Sequence, residues 1–150
     1  MEINYIGHAT INIISKARNI LTDPWLTQRL DRCWTHIPPI DTERDYNDID
    51  TLILTHHHCE HLHIPSLLML NRDVEIYFPE TTYPLSYTGS GMGFKTIAWT
   101  LRKLGFKKIF PLKIFDTIVL DDITLTTLPS KVTFPEMSLL FVQDDKTIMF

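Results

Sequence analysis

Five of the seven histidines in the chain, His56, His57, His58, His61 and His63, fall within eight consecutive positions, and none follows residue 63. The run reads Thr55-His56-His57-His58-Cys59-Glu60-His61-Leu62-His63. Within it, His56-x-His58-x-Glu60-His61 places two imidazoles two residues apart, on one side of an extended turn, with a carboxylate and a third imidazole directly behind. Neutral imidazole and ionised carboxylate are the nitrogen and oxygen donors that suit zinc, iron or manganese. Ligands drawn in sequence from one strand end leave coordination positions open for water, which separates a catalytic metal site from a closed structural one. A solvated loop, an adventitious chelator or an expression tag is the plain alternative. A tag is normally terminal and unadorned, whereas this run is internal, follows an apolar stretch and carries an interposed acid. His57 sits between the spaced positions as a bystander. His63 reads as structural or surface, and Cys59, whose place between His58 and Glu60 turns it from their side, reads as buried filler.

The segments around the run must position it. Thr51 to Thr55 is a short apolar run bounded by charge before it and histidines after it, the signature of a buried strand. Upstream, Ile3 to Ile6, Thr10 to Ile14 and Asn19 to Thr22 predict three consecutive strands of one sheet, the third stopped by Asp23-Pro24. Residues 26 to 50, with Pro38-Pro39 and the acids Asp41, Glu43, Asp45, Asp48 and Asp50, show no sustained period and are expected to form a long functional connection. Pro65 predicts the first turn of a helix that buries Leu67, Leu68 and Leu70. Val74 to Phe78 predicts another buried strand. Ile97, Leu101 and Leu104 recur at i, i+4 and i+7 ahead of Gly105, which marks a helix and its left-handed cap. Ile109-Phe110, Thr117 to Leu120, Ile123 to Leu128, Ser138 to Val142 and Thr147 to Phe150 then predict a series of strands, with Asp121-Asp122 and Asp144-Asp145-Lys146 as turns. The class is α+β or α/β.

Composition bounds the remaining options. The 150 residues are 44% hydrophobic and 21% charged, which suits one core-forming domain. A formal charge of −4 argues against a nucleic-acid partner. No stretch is long and apolar enough to span a bilayer, and the first residues lack a signal-peptide pattern, so a cytoplasmic location is expected. Two cysteines, Cys33 and Cys59, exclude a disulfide framework. Lys95, Arg102, Lys103, Lys107, Lys108 and Lys113 fall in a stretch without acids. Such a stretch could steer an anionic small-molecule substrate, although a solvated helix face is the simpler reading. Gly89-Ser90-Gly91-Met92-Gly93 lacks the Gly-Lys-Ser/Thr ending of a phosphate loop and reads as a loop. Trp25, Trp34 and Trp99 read as packing residues, with Trp34 in its proline-rich loop able to line a pocket. Nothing in the sequence constrains the oligomeric state, and a homo-oligomer stays open.

Thr55 to Leu62 resembles the first metal motif of the metallo-β-lactamase fold hydrolases, His-x-His-x-Asp-His at the end of a buried strand. The resemblance extends to Ile6-Gly7-His8-Ala9-Thr10, Leu21-Thr22-Asp23-Pro24-Trp25-Leu26, Trp34, Pro38-Pro39 and Leu101-Arg102-Lys103-Leu104-Gly105-Phe106. These segments are similar to a branch that includes ascorbate-phosphate lactonase-like proteins, the N-acyl-phosphatidylethanolamine phospholipase D group and the CMP-sialic acid hydroxylase group. The resemblance implies an αββα sandwich with its N-terminal half represented in a single domain over residues 1–150. It implies His56 and His58 as ligands of one divalent metal, Glu60 and His61 as ligands of a second, and Glu60 also as a group that orients the nucleophile or moves its proton. Zinc is the first expectation, with iron or manganese open. His8 and Asp23 would sit behind the ligands and fix an imidazole through hydrogen bonds. The implied activity is hydrolysis of a phosphoester, lactone or amide by a metal-bound hydroxide. An iron oxygen-activating relative and a degenerate, non-catalytic metal-binding or interaction protein are the alternatives.

Three departures from the pattern stand out. The carboxylate is Glu60 instead of Asp. The later loop of the family, expected near Leu128-Pro129-Ser130-Lys131-Val132, brings no histidine, and Glu136 is the nearby substitute. The bridging Asp of the family follows a strand like Thr147 to Phe150, so a chain that continues past Phe150 is the expectation.

Overall fold

The computed structural model describes residues 1–30, 34–80, 96–131 and 136–150. The Gly89–Gly93 loop, Lys95, Cys33 and Val132 lie outside the described residues. The first three strands, β1 (Glu2–Gly7), β2 (Thr10–Ile14) and β3 (Asn19–Thr22), form an antiparallel meander as their alternation predicts. β4 (Arg29–Leu30) and β5 (Trp34–Thr35) form a small ribbon inside the long connection, where no strand was expected. The strands are two residues each, too short to show a period. β6 (Thr51–Ile53) pairs parallel with β3, and β7 (Glu75–Pro79) and β8 (Ile109–Leu112) extend the parallel half. The first sheet thus runs β1-β2-β3-β6-β7-β8. β9 (Thr117–Leu120), β10 (Ile123–Pro129), β11 (Met137–Gln143) and β12 (Lys146–Met149) form a second, antiparallel sheet in the order β12-β11-β10-β9.

Alternation along the strands sorts the apolar residues into two cores. Leu21, Leu52 and Ile76 face the helical side with Leu67, Leu70, Ile97, Leu101 and Phe106. Their chain neighbours Ile20 and Ile53 point the other way and pack with Leu120, Ile123, Leu125, Leu139 and Phe141 between the sheets. The period of two makes one strand serve both cores. Helix α1 (Ile64–Leu67) is a single turn begun by Pro65, and Leu68, expected in the core, is exposed. The turn ends before a second face can form, so Ser66, Leu67 and Leu70 are its buried positions. Helix α2 (Ile97–Lys103) is capped by the Thr96 hydroxyl, which accepts from the Trp99 N–H at 3.1 Å. It ends at Gly105, whose φ of +93° is the left-handed cap the sequence predicts. Trp99, expected as a packing residue, is instead on the exposed face of α2, with the Lys103 ammonium 5.7 Å from its ring centre.

The sheets are latched at one end by Asp122. Its carboxylate accepts from the Ser15 hydroxyl at 2.6 Å, the Lys16 N–H at 3.2 Å and the Gln143 amide at 2.6 Å. The Ser15 bond is the largest cause that holds the Asp122 carboxyl below its ordinary value of 3.8. A depressed carboxylate contributes stability above its unfolded value and loses it as the pH falls through the folded one. Melting curves of wild type and Asp122→Asn between pH 5 and pH 2 are therefore expected to converge toward acid, with the wild type the more stable above about pH 4. Parallel curves would refute the latch.

Candidate functional site

The histidine run begins at the carboxyl end of β6, beside the end of β3, where the two strands stop together. This is the end of a parallel sheet at which ligand sites form. Asp23 follows β3 with a φ of +38° and is fully buried. One carboxylate oxygen accepts the Thr55 N–H at 2.7 Å, and the other accepts the Thr55 hydroxyl at 2.6 Å and His61 Nδ1–H at 2.8 Å. The non-glycine left-handed conformation turns the carboxylate across the strand ends, a local strain held by these three bonds.

The hydrogen-bond directions fix the imidazoles. A carboxylate only accepts, so the Thr55 hydroxyl donates to Asp23 and is left to accept from His56 Nδ1, 3.0 Å away. His56 and His61 both carry their protons on Nδ1, and each presents a Nε2 lone pair. His56 Nε2 lies 3.1 Å from His58 Nδ1. Two nitrogens about 2.0–2.1 Å from one tetrahedral zinc lie roughly 3.3 Å apart, so this pair has the spacing of shared ligands. The His56 and His61 ring centres are 3.9 Å apart. Burial, reinforced by the neighbouring imidazoles, pushes the His56 pKa down to about 3, which keeps it neutral at physiological pH. Burial also pulls His61 down, but the hydrogen bond and charge of Asp23 outweigh it and raise the ring above 6.5, with smaller contributions from Glu60 and Glu136.

Burial pushes the Glu60 carboxyl up, while its backbone hydrogen bond, Cys59 and the charges of His61 and His58 pull it further down, so it stays ionised. Cys59, expected as buried filler, is partly exposed, and its thiol lies 3.4 Å from Glu60 Oε2. The chain turns at residues 58–62, where the Leu62 N–H bonds His58 O at 2.7 Å, and this brings the thiol round to the acid. Among the described residues no group of three or more His, Cys, Asp or Glu side chains is arranged to hold a metal ion, so the His56–His58 pair is the part of the set already at ligand spacing. The donors fit a divalent transition ion in chemistry and in the His56–His58 spacing, and the set is open in number.

His57 is buried against His58, 5.3 Å between ring centres. His63 is buried, and its Nδ1 shares a hydrogen bond of 2.6 Å with the Ser66 hydroxyl, which also accepts the Leu26 N–H at 2.7 Å. His8, with a φ of +52°, stands edge-on to His61 at 5.6 Å. Glu136 precedes β11, whose Met137 N–H bonds the carbonyl of Thr55 at 3.2 Å. The second sheet is thereby tied to the strand that carries the histidines. Two of the described residues of the basic stretch, Lys108 and Lys113, have their partners elsewhere. Lys108 lines a pocket with Arg18, Asp50, Asp73 and Glu75 at the opposite end of the sheet, and Lys113 lies 3.9 Å from Glu80.

Sequence reasoning passed over Thr55 and His36. Thr55 closes the expected strand, and a hydroxyl directly before a histidine run is a candidate to orient it. His36 lies in the aperiodic connection, where spacing carries no signal.

A model of the family described as Beta-lactamase superfamily domain matches residues 18–150. The chain is 33% identical over 91 residues to the cytidine monophosphate-N-acetylneuraminic acid hydroxylase of Danio rerio, covering 57% of this chain and 15% of that protein. It thus spans a small part of the length of that curated relative. A diiron β-hydroxylase from Streptomyces venezuelae shares the fold with a TM-score of 0.70 and 19% identity, over 99% of this chain and 28% of the other. An isothiocyanate hydrolase from Delia radicum gut bacteria does so with a TM-score of 0.69 and 22% identity, over 99% and 61%.

Proposed function

The chain belongs to the beta-lactamase superfamily domain family, and from that premise we propose that it is the metal-binding part of a hydrolase acting on a small molecule, with His56, His58, Glu60 and His61 as ligands. The observation that carries the reading is the Asp23–Thr55 pair, which turns the Nε2 lone pairs of His56 and His61 outward from their hydrogen-bonded sides. Carboxylate-backed imidazoles of this kind are what metal sites use to fix tautomer and ring orientation. A divalent ion held there supplies a water acidified toward neutrality and positive charge for the oxygen that develops charge on a carbonyl or phosphoryl centre. Glu60, ionised beside His58 and His61, receives the proton of the attacking water and returns it to the leaving group. His8, which burial and the charge of His61 keep below its ordinary pKa, stands neutral at the rim, able to hydrogen-bond substrate.

The test is hydrolysis of bis(p-nitrophenyl) phosphate, p-nitrophenyl acetate and γ-butyrolactone by zinc-, manganese- and iron-loaded protein. Glu60→Gln is expected to lower kcat about 100-fold with KM little changed. Unchanged kcat would remove Glu60 from the proton path.

Glu136 favours a second reading. Its charge acts on His61, and with His56 and His58 it would give two histidines and one carboxylate, the donor set associated with non-haem iron and oxygen. The similarity to hydroxylases supports the same direction. Iron-loaded protein that consumes oxygen and leaves all three esters intact would select this reading over hydrolysis.

A further inference from the structure

The rim of the histidine cluster is aromatic. Trp34 is 49% exposed and its ring centre lies 6.1 Å from that of His8, with the two planes tilted by 47°. His8 in turn meets the edge of Trp25 at 5.3 Å and of His61 at 5.6 Å. Ile37, 76% exposed, follows on the same segment. An isolated exposed tryptophan is ordinary, but this one is held from both sides. Trp34 pairs with Leu30 in the β4–β5 ribbon. The next residue but one, His36, is only 1% exposed and packs its ring against the Cα of Gly7, directly before His8. Its backbone N–H bonds Gln28 O at 2.9 Å and its Nδ1 bonds Pro38 O at 2.6 Å. The Gln28 side chain donates to His36 O at 2.9 Å and accepts the Ile40 N–H at 3.1 Å. On the other side, φ values of +145° at Gly7 and +52° at His8 fix the turn that lifts the imidazole.

An aromatic face exposed to solvent while its backbone is pinned loses little entropy on contact with a ligand, which is the condition for a recognition surface. We propose that Trp34 and His8 form a shelf for a planar aromatic or heteroaromatic ring, so that the substrate carries such a ring beside the group that reacts at the histidines. The proposal rests on the reading of that cluster as the reacting site. The shelf selects for a ring because the two tilted planes offer a face and an edge to one flat group. A flexible alkyl chain gains the apolar contact alone.

Titration calorimetry with 1-naphthyl phosphate and n-butyl phosphate tests it, since the two share a head and differ in the ring. Each is measured on the metal-loaded and the chelator-treated protein. Wild type is expected to bind the naphthyl ligand about tenfold more tightly than the butyl one. Trp34→Ala should reduce that ratio to near one, Trp34→Phe should keep part of it, and Trp99→Ala, on the exposed face of α2, should keep all of it. Melting curves establish that each variant is folded. A ratio near one in wild type, or one that survives Trp34→Ala, overturns the shelf. If the metal reading fails instead, the ratio persists while metal makes no difference to either ligand. If only the shelf fails, both ligands bind equally and in a metal-dependent way.

Discussion

Replacing Asp23 by alanine is expected to destabilise the protein by about 3 kcal/mol and to weaken metal binding at least tenfold. The first effect follows from three donors that lose their acceptor together: the buried Thr55 N–H and hydroxyl and the partly buried His61 Nδ1–H. A buried donor without a partner costs about 1–3 kcal/mol, and relaxation recovers part of the total. The second effect follows from the tautomers, because removal of a carboxylate behind a ligating histidine typically lowers metal affinity 10- to 100-fold. Asp23→Asn separates the two. Its carbonyl oxygen can still accept the Thr55 N–H, so most of the fold stability remains. Its NH2 group would face His61 Nδ1 and favour the tautomer with the proton on Nε2. Chelator competition should therefore show Asn nearly as damaging as Ala for metal, while thermal melts show it far milder. Metal affinity unchanged in Asp23→Asn would mean that His61 is not held for a ligand.

Gly7→Ala is expected to lower the melting temperature by roughly 10 °C, from about 3 kcal/mol of lost stability at some 2–4 °C per kcal/mol. A Cβ at Gly7 would lie 2.2 Å from Cε1 and 2.9 Å from both ring nitrogens of His36, and the φ of +145° is one that L side chains rarely adopt. Overpacking and backbone strain each cost on the order of 1–3 kcal/mol. The imidazole of His36 cannot swing clear, because it is buried against Trp25 with ring centres 5.0 Å apart. Combining Gly7→Ala with His36→Ala should cost less than the sum of the two, since the second change removes the clash. Strict additivity would place the effect in the backbone alone. The same pair of residues seats His8 and Trp34, so Gly7→Ala should also reduce the naphthyl preference.

The strands and the site were legible to different degrees for physical reasons. Outside the β4–β5 ribbon, the strands from Thr10 to Phe78 and from Thr117 onward lie nearly where the sequence predicts them, because burial on one or both faces leaves a period or an apolar run in the sequence. Thr10–Ile14, Asn19–Thr22 and Thr117–Leu120 match residue for residue. The β4–β5 ribbon was invisible, since two-residue strands have no period and their pairing is set by tertiary contacts such as the Gln28 staple. Leu68 was misplaced because a single helical turn buries only one or two positions. At the site, spacing along the run singled out His56, His58, Glu60 and His61, and the structure brings the three imidazoles together. Asp23 could be suspected only from resemblance, because its contact with Thr55 and His61 spans more than thirty residues. His36 gave no signal at all: it supports the turn before His8 through shape, and shape complementarity leaves no pattern in one sequence.

The central claim is that the histidine run is a metal site, and elemental analysis of the untagged protein tests it most directly. Wild type should retain between one and two equivalents of zinc, iron or manganese after dialysis, and the combined variant His58→Ala with His61→Ala should retain almost none while still folded. Wild-type protein that is folded, has been offered each of these ions and holds no metal would contradict the account.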